Sequence, residues 1–338
     1  MPNLLKHLIK STAATLAAYA GPHRYSSQSP KLWILMYHRV LPASDKRFAL
    51  EEPGMIVTPE TFAMHMRELK RHFDVMDLGE WVKLKQQNLP LPRKACAITF
   101  DDGWADNYEY AFPILKAEKI PATLFAVAEK IGTDFQFWPN IITALLFTEG
   151  AHNAMQRHPL FAQVFKQHAI PAKVVDREYA AAYIGHLKQF SDQAIFTALT
   201  DIAWRSLLAV ELANALMSWE QLITMKQSGL VNIGSHTCNH KRLTSSLSED
   251  ELRHEIIQSK IIIENRLSST VDLFCFPNGD YSPQALELVQ QTYAAAVTTQ
   301  RGIVKANSCN NHELTRVGMH DEISNSRKLL GARLSGWL

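Results

Sequence analysis

Six short, largely apolar runs most constrain what this 338-residue chain can fold into. They are Leu32 to Tyr37, Ala95 to Phe100, Pro121 to Val127, Leu230 to Gly234, Leu273 to Phe276 and Ala294 to Val297. A half-wet strand alternates apolar and polar side chains, whereas a strand covered by helices on both faces does not need to. Helical signals fall between the runs. Thr58-Pro59 has the form of an N-cap followed by proline at the first helical position, with Phe62, Met66, Leu69 and Phe73 at helical spacing behind it. Tyr110, Phe112, Ile114 and Leu115 predict a second helix. Ser218 with Gln221 and Ser248 with Glu251 form capping boxes, the latter opening a long amphipathic helix through Leu252, Ile256, Ile261 and Ile263. The strand, helix, strand rhythm predicts a parallel α/β sheet or barrel.

The rhythm lapses over about 131–217, a stretch rich in Ala, Phe, Gln and His that reads as a mostly helical insertion between two barrel units. Residues 1–30 form an N-terminal segment and polar linker, leaving 31–338 as one domain. Leu4, Leu5, Leu8 and Ile9 with Lys6 and Lys10 predict a short basic amphipathic helix suited to peripheral contact with a membrane. Ala18-Tyr19-Ala20 has the small-residue form of a cleavage site, but Leu16 is the one strongly apolar aliphatic residue before it, a weak core for a leader. The expected location is therefore cytoplasmic, peripheral to the inner membrane, with a secreted or periplasmic protein as the alternative. No run of 18 apolar residues predicts a transmembrane helix.

Hydrophobic residues make up 46% and charged residues 20%, which suits a large core and excludes a disordered chain. Lys+Arg at 35 against Asp+Glu at 33 leaves +2, too small a surplus for a protein built to bind nucleic acid. Cys96, Cys238, Cys275 and Cys309 are widely separated, with no C-x-x-C pair, and read as free thiols rather than a zinc ribbon or disulfide framework.

Four segments carry chemistry. Asp101-Asp102-Gly103 follows a buried strand, and barrel enzymes place catalytic groups at such strand ends; alone it is equally an ordinary solvated turn. His236 and His240, four apart, fall on one face if the segment is helical and can share a metal. With 14 histidines in 338 residues, about half of one such pair arises by chance. Asp102 with His236 and His240 would give two nitrogens and a carboxylate, a catalytic-type set that leaves a position for water. The turn Phe276-Pro277-Asn278-Gly279 can aim a backbone N–H as an oxyanion donor. Met36-Tyr37-His38-Arg39 ends the first strand with a histidine that can face the same pocket.

Together and in this order, these segments resemble the polysaccharide deacetylase family, the NodB-homology enzymes. Ile98-Thr99-Phe100-Asp101-Asp102-Gly103 is similar to its first motif, Ser235 to His240 to its second, and Phe276-Pro277-Asn278-Gly279 to its third. Pro121 to Phe125 matches the strand after the first motif, and Leu35 to Val40 resembles the opening strand of one bacterial branch. The resemblance covers roughly 30–130 and 217–320. It implies a distorted (β/α)7-type barrel and an N-acetylated carbohydrate substrate, polymeric, oligomeric or lipid-linked. It also implies one divalent ion, expected to be zinc, on Asp102, His236 and His240, with Asp101 as general base and the Asn278 N–H as oxyanion donor. His38 is expected as general acid, with His320 second, because the late Leu314 to His320 segment fits the family's Leu-x-His motif poorly. Tyr37, Trp104, Pro277 and Arg316 are expected to contact substrate. Arg316 is also a candidate to supply a charge that the third motif lacks here. A glycoside hydrolase using Asp101 and Asp102, and a non-catalytic glycan-binding protein on the same fold, are the rival readings.

Overall fold

The structure, a computed structural model, describes residues 12–25, 28–168, 175–209 and 211–337. Seven strands form a closed parallel barrel: β1 (Lys31–Tyr37), β2 (Lys94–Phe100), β3 (Ala122–Ala126), β4 (Val231–Ser235), β5 (Leu273–Cys275), β6 (Ala295–Arg301) and β7 (Leu314–Gly318). Each pairs in parallel with the next, and β7 returns to β1 with Leu35 opposite Val317. This is the distorted (β/α)7-type barrel expected. The strand absent from the apolar pattern is β7, whose middle position is the buried Arg316.

The pleat sorts side chains into two apolar sets. Leu32, Ile34, Ala95, Ala97, Phe125, Leu273, Cys275, Val297 and Leu314 share one cluster, which fills the barrel. Trp33, Leu35, Tyr37, Cys96, Ile98, Phe100, Leu124, Ile233 and Val317 belong to the other, which meets the surrounding helices. The helix Leu78–Gln86 contributes Leu78, Trp81 and Val82 to the inner cluster and so closes the end where the strands begin. The opposite end, where the strands finish, stays polar and carries the site.

Local expectations mostly hold. Thr58 caps the helix Pro59–His72 by accepting from Thr61 N–H, and Phe62, Met66 and Leu69 are fully buried. Both capping boxes form with reciprocal bonds. One expectation fails: Ile261 is 41% exposed, while Leu252, Ile256 and Ile263 are buried. Nine residues on from Leu252, a regular 3.6 period itself sets Ile261 about 180° away, on the opposite face, with the π-turn at His254–Gln258 interrupting the helix between them.

Between β3 and β4 run helices from Trp138–Leu146 to Trp204–Leu207, packed on a core of their own that includes Ile142, Leu145, Phe161, Tyr183 and Leu199. The expected amphipathic helix at Leu4 to Lys10 lies outside the described residues. Residues 12–20 are helical, with Ala14, Ala17 and Ala18 buried against Ala332 of the last helix. No helix among the described residues is long and apolar enough to cross a membrane.

Gly234 on β4 makes room for the Phe125 ring inside the barrel. A Cβ there would lie 2.5 Å from Phe125 Cδ1 and 2.9 Å from the Leu273 carbonyl oxygen. Gly234→Ala is expected to destabilise the protein by about 1–3 kcal/mol, lowering the urea midpoint with an unchanged slope. An unchanged midpoint would mean that the barrel interior tolerates the extra carbon.

Candidate active site

Asp101 continues the inward period of Ala95, Ala97 and Thr99 at the end of β2. Asp102 then adopts φ +74° and Gly103 φ +86°. A non-glycine residue there is uncommon and costs conformational energy. The bend turns the second carboxylate back over the barrel mouth, so two neighbours that a strand would point apart face one site.

The His236 to His240 segment is not helical, contrary to the expectation from spacing. Thr237 and His240 have φ of +68° and +60°. The carbonyls of Thr237 and Cys238 accept from Ala128 N–H and Glu129 N–H at the end of β3, so they are not used in a helix. The loop instead folds on itself, with Thr237 Oγ1 accepting from His240 N–H at 2.9 Å. The imidazoles still meet, at 4.9 Å between centroids.

Asp102 Oδ1 lies 3.3 Å from His236 Nε2 and 3.3 Å from His240 Nε2. Metal–ligand bonds of about 2.0–2.1 Å in a tetrahedron give ligand–ligand edges of ~3.3–3.4 Å, so these spacings suit a zinc-sized ion. Two further observations fit. Asp102 Oδ1 is buried yet has no hydrogen-bond partner, and such a group calls for a ligand. His236 Nδ1 is 2.7 Å from the Cys275 carbonyl, which can only accept; the proton therefore sits on Nδ1 and the Nε2 lone pair is free. Burial alone would raise the Asp102 carboxyl, but the imidazoles around it, when protonated, hold it well below the ordinary range.

Asp101 has a different partner. Arg316, wholly buried, grips it with two parallel bonds of 2.7 Å, and its Nε donates to the Thr298 carbonyl at 2.8 Å. Burial pushes the Asp101 carboxyl up, and the Arg316 guanidinium outweighs it, leaving the pKa below its usual value. His38 follows Leu32, Ile34 and Met36 on the inward period of β1. Its Nε2 is 3.7 Å from Asp101 Oδ2, and its side chain is 20% exposed.

All four expected substrate contacts, Tyr37, Trp104, Pro277 and Arg316, are buried. Arg316 is enclosed in the barrel and saturated by Asp101, Thr99, Thr298 and Cys275. Tyr37 lies on the outward period, fully buried, with its hydroxyl on His65 Nδ1. Trp104 is 2% exposed and donates its indole N–H to Asp102 Oδ2 at 2.8 Å. Pro277 is buried in its turn, whereas Asn278 is exposed with φ +55°. The neighbouring N–H groups of Gly279 and Asp280 bond within that turn. His320 precedes the short helix Asp321–Ser324; its side chain lies 3.8 Å from Glu322 and its carbonyl accepts from the Ser324 hydroxyl. The charges bearing on Asp101 and Asp102 include His38.

Among the described residues, two further sets bring potential ligand atoms within 4.8 Å, both containing a thiol: Asp101, His236 and Cys275, and Glu129, Cys238 and His254. Burial holds the Cys275 thiol well above its usual range, and Asp101 is committed to Arg316. Neither set was legible as spacing in the sequence.

The family model described as polysaccharide deacetylase matches residues 88–297, more than half of the chain. The chain belongs to the polysaccharide deacetylase family. The protein named "Putative polysaccharide deacetylase YxkH" of Bacillus subtilis is 23% identical over 274 residues, covering 80% of this chain and 66% of that one. The poly-beta-1,6-N-acetyl-D-glucosamine N-deacetylase of Staphylococcus epidermidis is 35% identical over 107 residues, 29% of this chain and 37% of its own length. The chain thus spans a little under two thirds of the first relative and just over a third of the second. In fold, it resembles the Streptococcus pyogenes deacetylase PplD, with TM-score 0.58 and 21% identity over 90% of this chain and 99% of that one. It also resembles IcaB from Ammonifex degensii, with TM-score 0.56 and 20% identity over 90% and 98%.

Separate partners for the two aspartates predict separable effects on metal binding. His236→Ala and Asp102→Asn are expected to abolish tight zinc binding in calorimetric titration, while Asp101→Asn retains it. Equal loss in Asp101→Asn would mean that the ion sits between both carboxylates.

Proposed function

We propose that this chain is a metal-dependent hydrolase that removes N-acetyl groups from an amino-sugar glycan. The observation that carries the reading is the division of labour at the end of β2: Asp102 faces two imidazoles with an unpartnered oxygen, and Asp101 sits beside them held as a carboxylate.

An amide resists hydrolysis because its carbonyl is a poor electrophile and its amine a poor leaving group. A divalent ion on Asp102, His236 and His240 would polarise the carbonyl and acidify water. Asp101 takes the proton as water oxygen bonds to the carbonyl carbon. Arg316 orients that carboxylate with both of its oxygens fixed and keeps it ionised. The Asn278 N–H, on an exposed turn at the barrel mouth, is the oxyanion donor. As the C–N bond breaks, protonated His38 delivers its proton to the departing amine. With Nε2 3.7 Å from Asp101 Oδ2, the two groups can then exchange the proton and restore the resting state.

An N-acetylglucosamine polymer or oligomer is the substrate class the Staphylococcus relative's name supports. The glycoside-hydrolase reading has no observation in its favour. Its two carboxyl groups must flank a bond about 5–9.5 Å apart, and here they are adjacent and committed to Arg316 and to the histidines.

Acetate release from N-acetylglucosamine oligomers tests the reading. Asp101→Asn and His38→Ala are each expected to cut turnover by about 10²–10⁴-fold with metal content unchanged. Loss of metal in His38→Ala would make His38 a ligand, and no acyl release by metal-loaded protein from any amino sugar would refute the assignment. In Arg316→Lys the paired contacts are lost and the Asp101 carboxyl rises. The base must be ionised, so the acid limb of kcat/KM is expected to move to higher pH. An unmoved limb would mean Asp101 is not the titrating base.

A further inference from the structure

Trp104 hands its N–H to a metal ligand, and the surroundings of its ring lead directly into the helical insertion. The Arg39 guanidinium carbon lies 4.1 Å from the indole centroid, and the Phe137 ring 4.6 Å from it. Arg39 is itself buried and fixed: Nε donates to Asp106 at 3.1 Å and Nη1 to Glu51 at 2.8 Å. Glu51 also accepts from Asn140 Nδ2 at 2.9 Å, and its carbonyl accepts both Arg177 Nε and Nη2. Asn140 and Arg177 belong to insertion helices. The returning end of the insertion clamps the same loop through its backbone, with Ala105 N–H on the Ala215 carbonyl and Met217 N–H on the Gly103 carbonyl, both 3.0 Å.

We propose that Trp104 is a positioning residue for Asp102, and that the insertion, through Asn140, Glu51, Arg39 and Phe137, sets the indole and thereby the affinity for the ion. With Oδ2 held by the indole, the carboxylate cannot rotate freely and offers Oδ1 to the histidine side. A cation over the ring is attracted to its π-face; by drawing on that density it also makes the N–H a stronger donor. Partners of metal ligands of this kind are worth about 10–100-fold in metal affinity. The inference rests on the metal site proposed above.

The test is zinc affinity of the full chain by chelator competition, read beside the thermal melt. Replacing Arg39 would strand Asp106 and Glu51 as buried unpaired carboxylates, so the useful variants lie on either side of it. Trp104→Phe keeps an aromatic ring and removes the N–H; Asn140→Leu cuts a contact from the insertion to Glu51. Trp138→Phe is the matched control, because its indole N–H bonds Asp192 inside the insertion at 3.1 Å. The expected result is about 10–100-fold weaker zinc binding in Trp104→Phe with a near wild-type melt, a smaller loss in Asn140→Leu, and none in Trp138→Phe. Folded Trp104→Phe with wild-type affinity overturns the positioning role, as does equal weakening in Trp138→Phe. Wild-type affinity in Asn140→Leu overturns the insertion's part, and decides the matter if Trp104→Phe does not fold. Wild-type protein that binds no zinc sinks the metal site itself, an outcome distinct from the others.

Discussion

A buried carboxylate needs a partner, and the polar end of this barrel is organised around that requirement. Asp101, Asp102, Asp106 and Glu51 are all 3% exposed or less. In low dielectric each must be compensated by charge or hydrogen bonds or become protonated. Asp101 is compensated by Arg316, Asp106 and Glu51 by Arg39. Asp102 has two imidazoles and an indole N–H, with one oxygen left over. In the function proposed here, the oxygen left over at Asp102 is the one that would face the ion, and Asp101, fully compensated, is the group kept ionised and aimed.

The same constraint explains why the chain departs from regular structure where it does. Asp102, Thr237, His240 and Asn278 all hold positive φ without being glycine, and all lie at the mouth of the barrel. Such strain persists where the surroundings over-determine it. The Thr237 hydroxyl, the backbone bonds from the end of β3 and the backbone clamp from Met217 supply that determination. The insertion thus reads less as an appendage than as part of the frame that holds the first aspartate loop in place.

Much of this was legible in the sequence because buried parallel strands and capping boxes leave local signatures. Six strands announced themselves as apolar runs, and both boxes formed as read. The seventh did not, since Arg316 interrupts it for a reason visible only when β2 and β7 are seen to share one interior. The histidine pair was found by a spacing argument whose geometry was wrong: a turn, not a helix, brings the rings together. Tyr37, Trp104, Pro277 and Arg316 were expected to contact substrate, and all four are buried. Whether a side chain on a strand faces the mouth, the interior or the helices depends on register and burial, which single motifs do not encode. Arg39 stood beside His38 unassigned, because its partners, Glu51 and Asp106, come from separate segments.

The central claim is that the ion's seat is Asp102, His236 and His240 rather than either thiol-containing set nearby. X-ray absorption at the zinc edge of the one-equivalent complex tests it most directly. A first shell of nitrogen and oxygen alone at about 2.0–2.1 Å, with the outer scattering of two imidazoles, is the predicted result. A sulfur scatterer at about 2.3 Å would place the ion on Cys238 or Cys275 and contradict the account.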